Sequence, residues 1–458
     1  MVQIQLSSLQ VGRTTDKEYY TSEGELLLSK GIVLSQKHID VLMRRNISDL
    51  FIYEEGEDDE LNKILSTEFK KFGELSFDDS ALDKPVFDLK GALKKHPELS
   101  EIKPGKEGVV QLLKSRKGNE LDSKIKDGRS PDKPVGPPLK GSAQQILTKE
   151  RTVKYKKAVL ECYLDALNRT TSMLNSLVSG DTIKGDNVRE LVEQFVNTFL
   201  SDRSILLNIS GIKHRSDEYI YTHSLNVTLL SINIAAAYGY NEQQVIEIGM
   251  GALLHDVGML LLPNEVRLKK GKFTEDEWWE VQKHPILGLH LLEKVSHLPE
   301  SVPYVSYQCH ERENGKGYPK QRSTRLIHNY ARIVSVADVF EALSSPRCYR
   351  EAHIPYKAME LVIMMTRQGL ISGEFVKALL EYSSLFPVGS MVELSNNCIG
   401  KVIRSNSSSY AKPVVCVLTD VEGNPLPNER IYEEDLSINT TLQIIRAHPS
   451  GNDLMLGF

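Results

Sequence analysis

The sequence predicts a mainly α fold: one all-helical domain, preceded by a small α+β module and followed by a small β-rich appendage. Three observations carry that prediction. Between about residues 144 and 386, apolar residues recur at the roughly 3.6-residue spacing of amphipathic helices. Before residue 53 and after Pro387, short apolar runs are interrupted by turn-forming residues, the texture of strands. Through the helical stretch runs a ladder of His223, His255, Asp256, His284, His310 and Asp338, with successive rungs 26 to 32 residues apart apart from the adjacent pair. That is one or two rungs per helical hairpin, and packed helices aim such side chains at one buried metal site.

Taken in order, residues 1–53 form the α+β module. Strand-like runs over 25–34 are broken by Gly31, Ser35 caps a helix whose Ile39, Leu42 and Met43 share a face, and a strand over 50–53 closes the unit. The acidic run 54–60 opens a charged, Pro- and Gly-containing stretch, 54–143, that ends in the Pro-rich 131–138 and reads as a linker. Residues 144–204 form a helical connector. Its first helix carries Val159, Tyr163, Ala166, Met173 and Leu177 up to a stop at Gly180, and its second carries Val188, Leu191, Val192, Phe195 and Phe199. Stripes of this kind belong more often to an intramolecular core than to a dimer seam. The all-helical domain spans 205–386, with a capping box at Thr274 and Glu277, Pro285 directly after His284, and a stop at Gly369. Residues 387–458 carry strand runs at 391–394, 399–403 and 413–419 and a turn at 422–425.

Composition narrows the class. A chain of 458 residues exceeds one ordinary core and predicts two or three domains, and 40% hydrophobic with 26% charged residues is the balance of a water-soluble protein. The formal charge of -5 supplies no basic field for nucleic acid. Five cysteines, Cys162, Cys309, Cys348, Cys398 and Cys416, are an odd number without CxxC spacing, which points to a reducing compartment. The first ten residues lack the pattern of a signal sequence and no apolar run is read as approaching the ~20 residues of a membrane span, so the chain is expected to be cytoplasmic.

The chemistry rests on three segments. Residues 241–257 read as a helix whose inward stripe Val245, Ile248, Ala252 and His255 ends in the pair His255 and Asp256. Adjacent helical residues point about 100° apart, so imidazole and carboxylate approach one metal from two sides while the second carboxylate oxygen bridges to another. Asp338 lies in the apolar run 333–343, where an unpartnered carboxylate is costly. In 309–319 a helix ends in a histidine and is followed by a loop in which Gly315 and Gly317 permit close backbone approach and Tyr318 is available to stack, a loop suited to a phosphate or nucleobase and equally to a plain glycine turn. A lone histidine on an apolar helix is usually a hydrogen-bonded core residue. The ordered set favours a metallohydrolase.

The motifs HSLNV at 223–227, LHDVG at 254–258, KHP at 283–285, HER at 310–312, GYP at 317–319, VAD at 336–338 and RCYR at 347–350 resemble the HD-GYP family, bacterial phosphodiesterases that linearise cyclic di-GMP at a two- or three-metal centre of iron or manganese. The resemblance covers about residues 205–385 and implies an HD-type phosphohydrolase domain. It also implies that His223, His255, Asp256 and Asp338 hold one divalent metal, Fe or Mn, and that Asp256 bridges to a second held by His284 and His310, with His255 and Asp256 as the catalytic pair. Tyr318, Arg347 and Arg350, with Gly315 and Gly317, match substrate-contacting positions. The expected ligand is cyclic di-GMP, with pGpG or GMP as product. A second copy of the chain and a signalling protein, met through the N-terminal or connector regions, are the other expected partners. Four positions depart from the family. Cys309 replaces the first of two consecutive histidines and puts a thiolate donor or a lost ligand at the second metal, Met259 replaces a lysine, Asn314 an aspartate and Tyr219 the glutamate of three-metal members. Two readings therefore stand: a phosphodiesterase of altered or reduced activity, and a degenerate cyclic di-GMP sensor or signalling scaffold.

Overall fold

The computed structural model describes residues 2–15, 19–20, 26–28, 33–44, 47, 49–52, 95–96, 99, 101–114, 116–127, 132–139, 153–200, 219–345, 353, 355–386, 390–404, 406, 409–427, 430–439 and 441–447. Strands β1 (Val2–Gln5), β2 (Tyr19–Tyr20), β3 (Leu26–Leu28) and β4 (Asp49–Ile52) form an antiparallel sheet in the order β1-β4-β2-β3, with helix α1 (Gln36–Arg44) inserted before β4. Ser35 caps α1 as expected, its hydroxyl accepting from the His38 N–H at 3.3 Å. Leu6, Tyr19, Leu28, Leu34, Leu42 and Leu50 make a separate small core.

The stretch whose composition reads as a linker contains two helices in its described part, α2 (Gly105–Leu112) and α3 (Arg116–Lys126). The many Lys, Asp and Gly residues around them mask the apolar side chains that hold them down. Leu121 packs with Ile286, Leu289, Tyr304 and Tyr307, and Leu112, Leu113 and Ile125 add to that cluster. Residues 132–139 continue the docking through polar contacts: the Val135 N–H donates to Gln244 Oε1 at 2.9 Å, Gln244 Nε2 to the Lys133 carbonyl at 2.8 Å, and the Tyr240 hydroxyl to the Asp132 carbonyl at 2.6 Å.

The helical body follows with α4 (Val153–Val178), β5 (Ile183–Lys184), α5 (Gly185–Phe199), α6 (Tyr219–Tyr238), α7 (Glu242–Leu254), α8 (Asn264–Arg267), α9 (Glu275–Val281), α10 (His284–Leu292), β6 (Val295–Ser296), α11 (Val302–Gln308), α12 (Asn329–Ser344), α13 (Pro355–Arg367) and α14 (Gly373–Ser383). Helix α6 is buried on every face and packs against α4, α7, α12 and α14. A helix apolar all round needs such a surround. The expected capping box is formed at α9, where Thr274 and Glu277 satisfy each other's backbone N–H groups. Val188, Leu191, Val192 and Phe195 of α5 lie inside the same core cluster as Leu225 of α6 and Val245 of α7, as an intramolecular stripe should. The expectation that no apolar run reaches membrane-spanning length needs correction. Residues Glu242–Leu261 are long and apolar enough, but they are almost wholly buried inside the protein, where α7 forms part of the core.

At the C-terminal end, β7 (Met391–Leu394), β8 (Ile399–Arg404), β9 (Val414–Val417), β10 (Tyr432–Asp435) and β11 (Ile444–Ala447) pair antiparallel in the order β10-β9-β8-β7-β11. Val392, Leu394, Val402, Val415, Val417 and Leu436 fill its core. The strand pattern identifies the three inner strands. The two edge strands are solvated and half-polar, so neither shows the alternation that marks a buried face.

Candidate metal centre

Local structure explains how each ligand is delivered. Asn241 caps α7 by accepting from the Gln244 N–H at 2.9 Å, and the helix runs to Leu254. His255 keeps helical dihedrals, whereas Asp256 leaves them at φ -104°, ψ 12° and starts a tight turn over Val257–Leu261. The pair therefore diverges through a helix end rather than through the helical offset of two consecutive residues. Gly258 lets the next rung approach: a Cβ at that position would stand 2.1 Å from the His284 carbonyl oxygen and 2.5 Å from the Gly288 nitrogen. His284 opens α10, His310 follows the end of α11, His223 lies in α6 and Asp338 in α12.

Among the described residues, two groups of ligand atoms converge, His223 with His255 and Asp256, and Asp256 with His284 and His310, the atoms within each group lying within 4.8 Å of one another. Asp256 belongs to both. Its Oδ1 is 3.2 Å from His284 Nε2, 3.2 Å from His310 Nε2 and 3.4 Å from His255 Nε2, while Oδ2 is 3.6 Å from His223 Nε2. Asp338 closes the ring, with Oδ1 3.2 Å from His223 Nε2 and Oδ2 3.6 Å from His310 Nδ1. All six side chains are buried.

Hydrogen bonds fix the tautomers. His255 Nδ1 is 2.7 Å from the Ala252 carbonyl and His284 Nδ1 is 2.7 Å from the Val281 carbonyl. A carbonyl only accepts, so Nδ1 carries the proton and Nε2 presents a lone pair. Both Nε2 atoms are buried without a hydrogen-bond partner. Two buried, unsatisfied lone pairs beside a shared carboxylate are what a cation would satisfy. The residues fit a pair of divalent metals. His223 is held by a carboxylate instead: its Nδ1 is 2.5 Å from Glu341 Oε2. Glu341 in turn accepts from Asn226 Nδ2 at 3.3 Å and Ser345 Oγ at 2.7 Å, and Asn226 Oδ1 accepts from the Tyr163 hydroxyl of α4 at 3.0 Å.

The electrostatics follow from this crowding. Burial pushes the Asp256 carboxyl up, but the polar contacts of the surrounding His255, His284 and His310 rings outweigh it and hold it well below the usual carboxylate range. Asp338 is likewise lowered against its burial by His223 and His310. Burial lowers His310, keeping its imidazole neutral and able to donate a lone pair.

The glycine loop stands over the second group. Gly315 sits at φ 74°, and a Cβ on Gly317 would meet the Arg312 nitrogen at 2.4 Å, so both positions require glycine. The Tyr318 N–H donates to the His310 carbonyl at 3.1 Å and its ring stacks on His310 with centroids 5.1 Å apart and planes at 11°. Burial and the charge of Asp256 push the Tyr318 phenol well above its ordinary value, so it stays protonated and able to donate.

The departures are also placed. Cys309 is wholly buried within the apolar core cluster and outside the two convergent groups, and burial together with Asp256 and Asp338 pushes its thiol well up. Met259 joins the same apolar cluster. Asn314 is an exposed turn residue whose Oδ1 accepts from the Lys316 N–H at 3.1 Å. Tyr219 is the first residue of α6. Arg347 and Arg350 lie outside the described residues. The residue that sequence reasoning missed is Glu341. Its one signal is position: three residues after Asp338, it shares that aspartate's helix face in an apolar run.

With this geometry in place, comparison with known proteins gives consistent relatives. The HD domain family matches residues 208–373, and a KOW domain associated with HD domain matches residues 391–451. A cyclic di-GMP phosphodiesterase of Pseudomonas aeruginosa is 29% identical over 298 residues, 65% of this chain and 70% of that protein. The cyclic di-GMP phosphodiesterase response regulator RpfG of Xanthomonas campestris is 42% identical over 120 residues, 26% of this chain and 32% of that protein. The 3'3'-cGAMP-specific phosphodiesterase 3 of Vibrio cholerae is 33% identical over 144 residues, 31% of each chain.

Proposed function

The chain belongs to the HD-domain family in its HD-GYP form, and from that premise we propose that it is a metal-dependent phosphodiesterase that hydrolyses cyclic di-GMP to pGpG or GMP. The observation that carries the proposal is the sharing of Asp256 between two convergent histidine groups. Two divalent cations bound there, Fe or Mn as the resemblance to the HD-GYP family implies, would neutralise phosphate charge and lower the pKa of water. His255 and His284 keep their Nδ1 protons on backbone carbonyls and direct Nε2 inward, so no reorganisation is needed when a cation arrives. His223 and His310 with Asp338 complete the donor ring, and the buried walls exclude bulk water. Tyr318, protonated and stacked on His310, is placed to donate a hydrogen bond to a phosphate or to stack on a base, with Gly315 and Gly317 giving the loop its close backbone approach. Arg347 and Arg350 are assigned to the ligand's phosphates on their motif alone. Arg312, whose Nη1 donates to Ser335 Oγ at 2.9 Å, brings a guanidinium near enough to draw the Tyr318 phenol down against its burial.

One observation favours the second reading, a binding module with weak or no turnover. The position that carries a lysine in the family is Met259, and it is packed into the apolar core rather than offered to a phosphate. The deciding experiment is hydrolysis of cyclic di-GMP, with 3'3'-cGAMP in parallel, by protein purified without oxygen and loaded with Fe(II) or Mn(II). Linear product that disappears in Asp256→Ala supports the enzyme. Tight binding without product from metal-loaded protein overturns it in favour of the sensor.

A further inference from the structure

The two histidines grouped with Asp256 around the second metal position share a feature: a chain neighbour of each is tied to the segment 103–122, Lys283 directly and Glu311 through Lys320 and Arg322. Lys283, which precedes His284, donates from Nζ to the Lys103 carbonyl at 2.8 Å and to both Glu280 oxygens at 2.8 and 2.7 Å, and Glu280 Oε1 accepts from the Gly105 N–H at 2.5 Å. Glu311, which follows His310, accepts from the Lys320 N–H at 2.8 Å, the Arg322 N–H at 2.8 Å and Arg322 Nη1 at 2.9 Å. Asp122 of α3 closes this network from outside, accepting from Lys320 Nζ at 2.8 Å and pairing with Arg322 Nη2. Its helix is seated by Leu121 on Ile286 and Leu289 of α10 and on Tyr304 and Tyr307 of α11, the two helices adjoining His284 and His310.

We propose that Asp122 is a positioning residue for the second metal site, acting through Lys320 and Arg322 on Glu311 and so on His310. The inference rests on the two-metal reading above. Lys320 and Arg322 bring two positive charges to the network, and Glu311 with Asp122 supply two negative ones. Removing Asp122 leaves Arg322 and the wholly buried Glu311 to find a new arrangement in a place of low dielectric, where an unbalanced network is costly. The loop from His310 to Tyr318 hangs on Glu311, so the cost falls on His310. His223, by contrast, is anchored by Glu341, Asn226 and Tyr163 on other elements, which makes the effect selective. Segment 103–122 precedes residues 208–373, which match the HD domain family, so the contact comes from outside the matched domain.

The test is titration of the metal-free full chain with Mn(II) by calorimetry, with the electron paramagnetic resonance signal of the coupled Mn pair followed in parallel. The second-site Kd is identified as the one abolished in His284→Ala. Asp122→Ala is expected to raise that Kd about tenfold, with the first Kd within twofold and less coupled-pair signal at intermediate Mn(II). Asp122→Glu should restore it. Lys124→Ala, on the same helix as Asp122, removes an outward-facing ion pair with Glu300 and should change neither Kd. Should Asp122→Ala fold poorly, Asp122→Asn keeps the packing, removes the charge and is read the same way. Unchanged or equally weakened Kd values in the Asp122 variants, with two Mn(II) bound by the wild type, overturn this inference alone. A wild type that binds fewer than two Mn(II) overturns the two-metal reading, and this inference with it.

Discussion

His223 Nδ1 lies 2.5 Å from Glu341 Oε2, both groups buried, so one carboxylate fixes the ring orientation and the tautomer of a candidate metal ligand. Among the four histidines of the site, His255 and His284 are oriented by backbone carbonyls and His223 by this side chain. A carboxylate partner raises the basicity of the opposite nitrogen as well as aiming it.

Glu341→Gln keeps the shape and removes that charge. Metal affinity at the site holding His223 is expected to fall about 10- to 100-fold, with hydrolysis falling in parallel at limiting metal and recovering in excess. Equilibrium dialysis against graded Mn(II) measures it, and an affinity within twofold of wild type would remove Glu341 from the role.

Gly258→Ala places a methyl where the α10 backbone already stands, 2.1 Å from the His284 oxygen. Either α10 or the turn after Asp256 must move, at a stability cost of about 1–3 kcal/mol, and both metals should bind more weakly because Asp256 serves both groups. Denaturant unfolding of the metal-free protein and metal counting check the two halves separately.

Cys309→Ala should leave the metal count and the metal-dependent rate unchanged, at a stability cost of about 1 kcal/mol. The reason is placement: the thiol is packed in the apolar core, outside the convergent groups. A lost metal or a changed Fe(II) spectrum would make it a ligand after all.

His328 supplies a pH dependence remote from the metal groups. It caps α12 by accepting from the Tyr330 N–H at 3.2 Å, stacks on Tyr304 with centroids 4.7 Å apart, and is pushed down to about 3 by burial. The unfolded chain takes up that proton near pH 6.5, so between about pH 6.5 and 3 the unfolded state binds more protons. Stability contributed by the neutral ring is present above that window and is lost as pH falls through it. His328→Asn retains a capping side chain without the titration. The drop in unfolding free energy from pH 7 to pH 5 should be smaller in the variant by about 1–2 kcal/mol, and equal drops in the two proteins would reject the assignment.

How much of this was readable without coordinates differs by residue. The six side chains that converge at the candidate site stand out because histidines and aspartates recur at hairpin spacing in a run that otherwise buries apolar residues. Glu341 does not, since a single carboxylate in a helix is ordinarily a solvated residue, and its meaning depends on which histidine folds against it. Segment 101–139 is hidden for another reason: a few leucines and an isoleucine suffice to seat two short helices on a large body, and they barely alter the average of a Lys- and Asp-rich stretch. The divergence at Asp256 was likewise invisible, because periodicity reports the helix but not the residue at which it ends.

The stripe of α5 and the inner face of α4 share one core with α6 and α7, and β5 pairs in parallel with β6 so that Ile183 lies opposite Val295. The segment that matches the HD domain family, residues 208–373, is therefore shorter than the cooperative folding unit. A fragment excised at that boundary would leave the surfaces that receive Tyr163, Leu174, Val188 and Phe195 open to water and prone to aggregate, so a recombinant catalytic fragment needs to begin upstream of Val153.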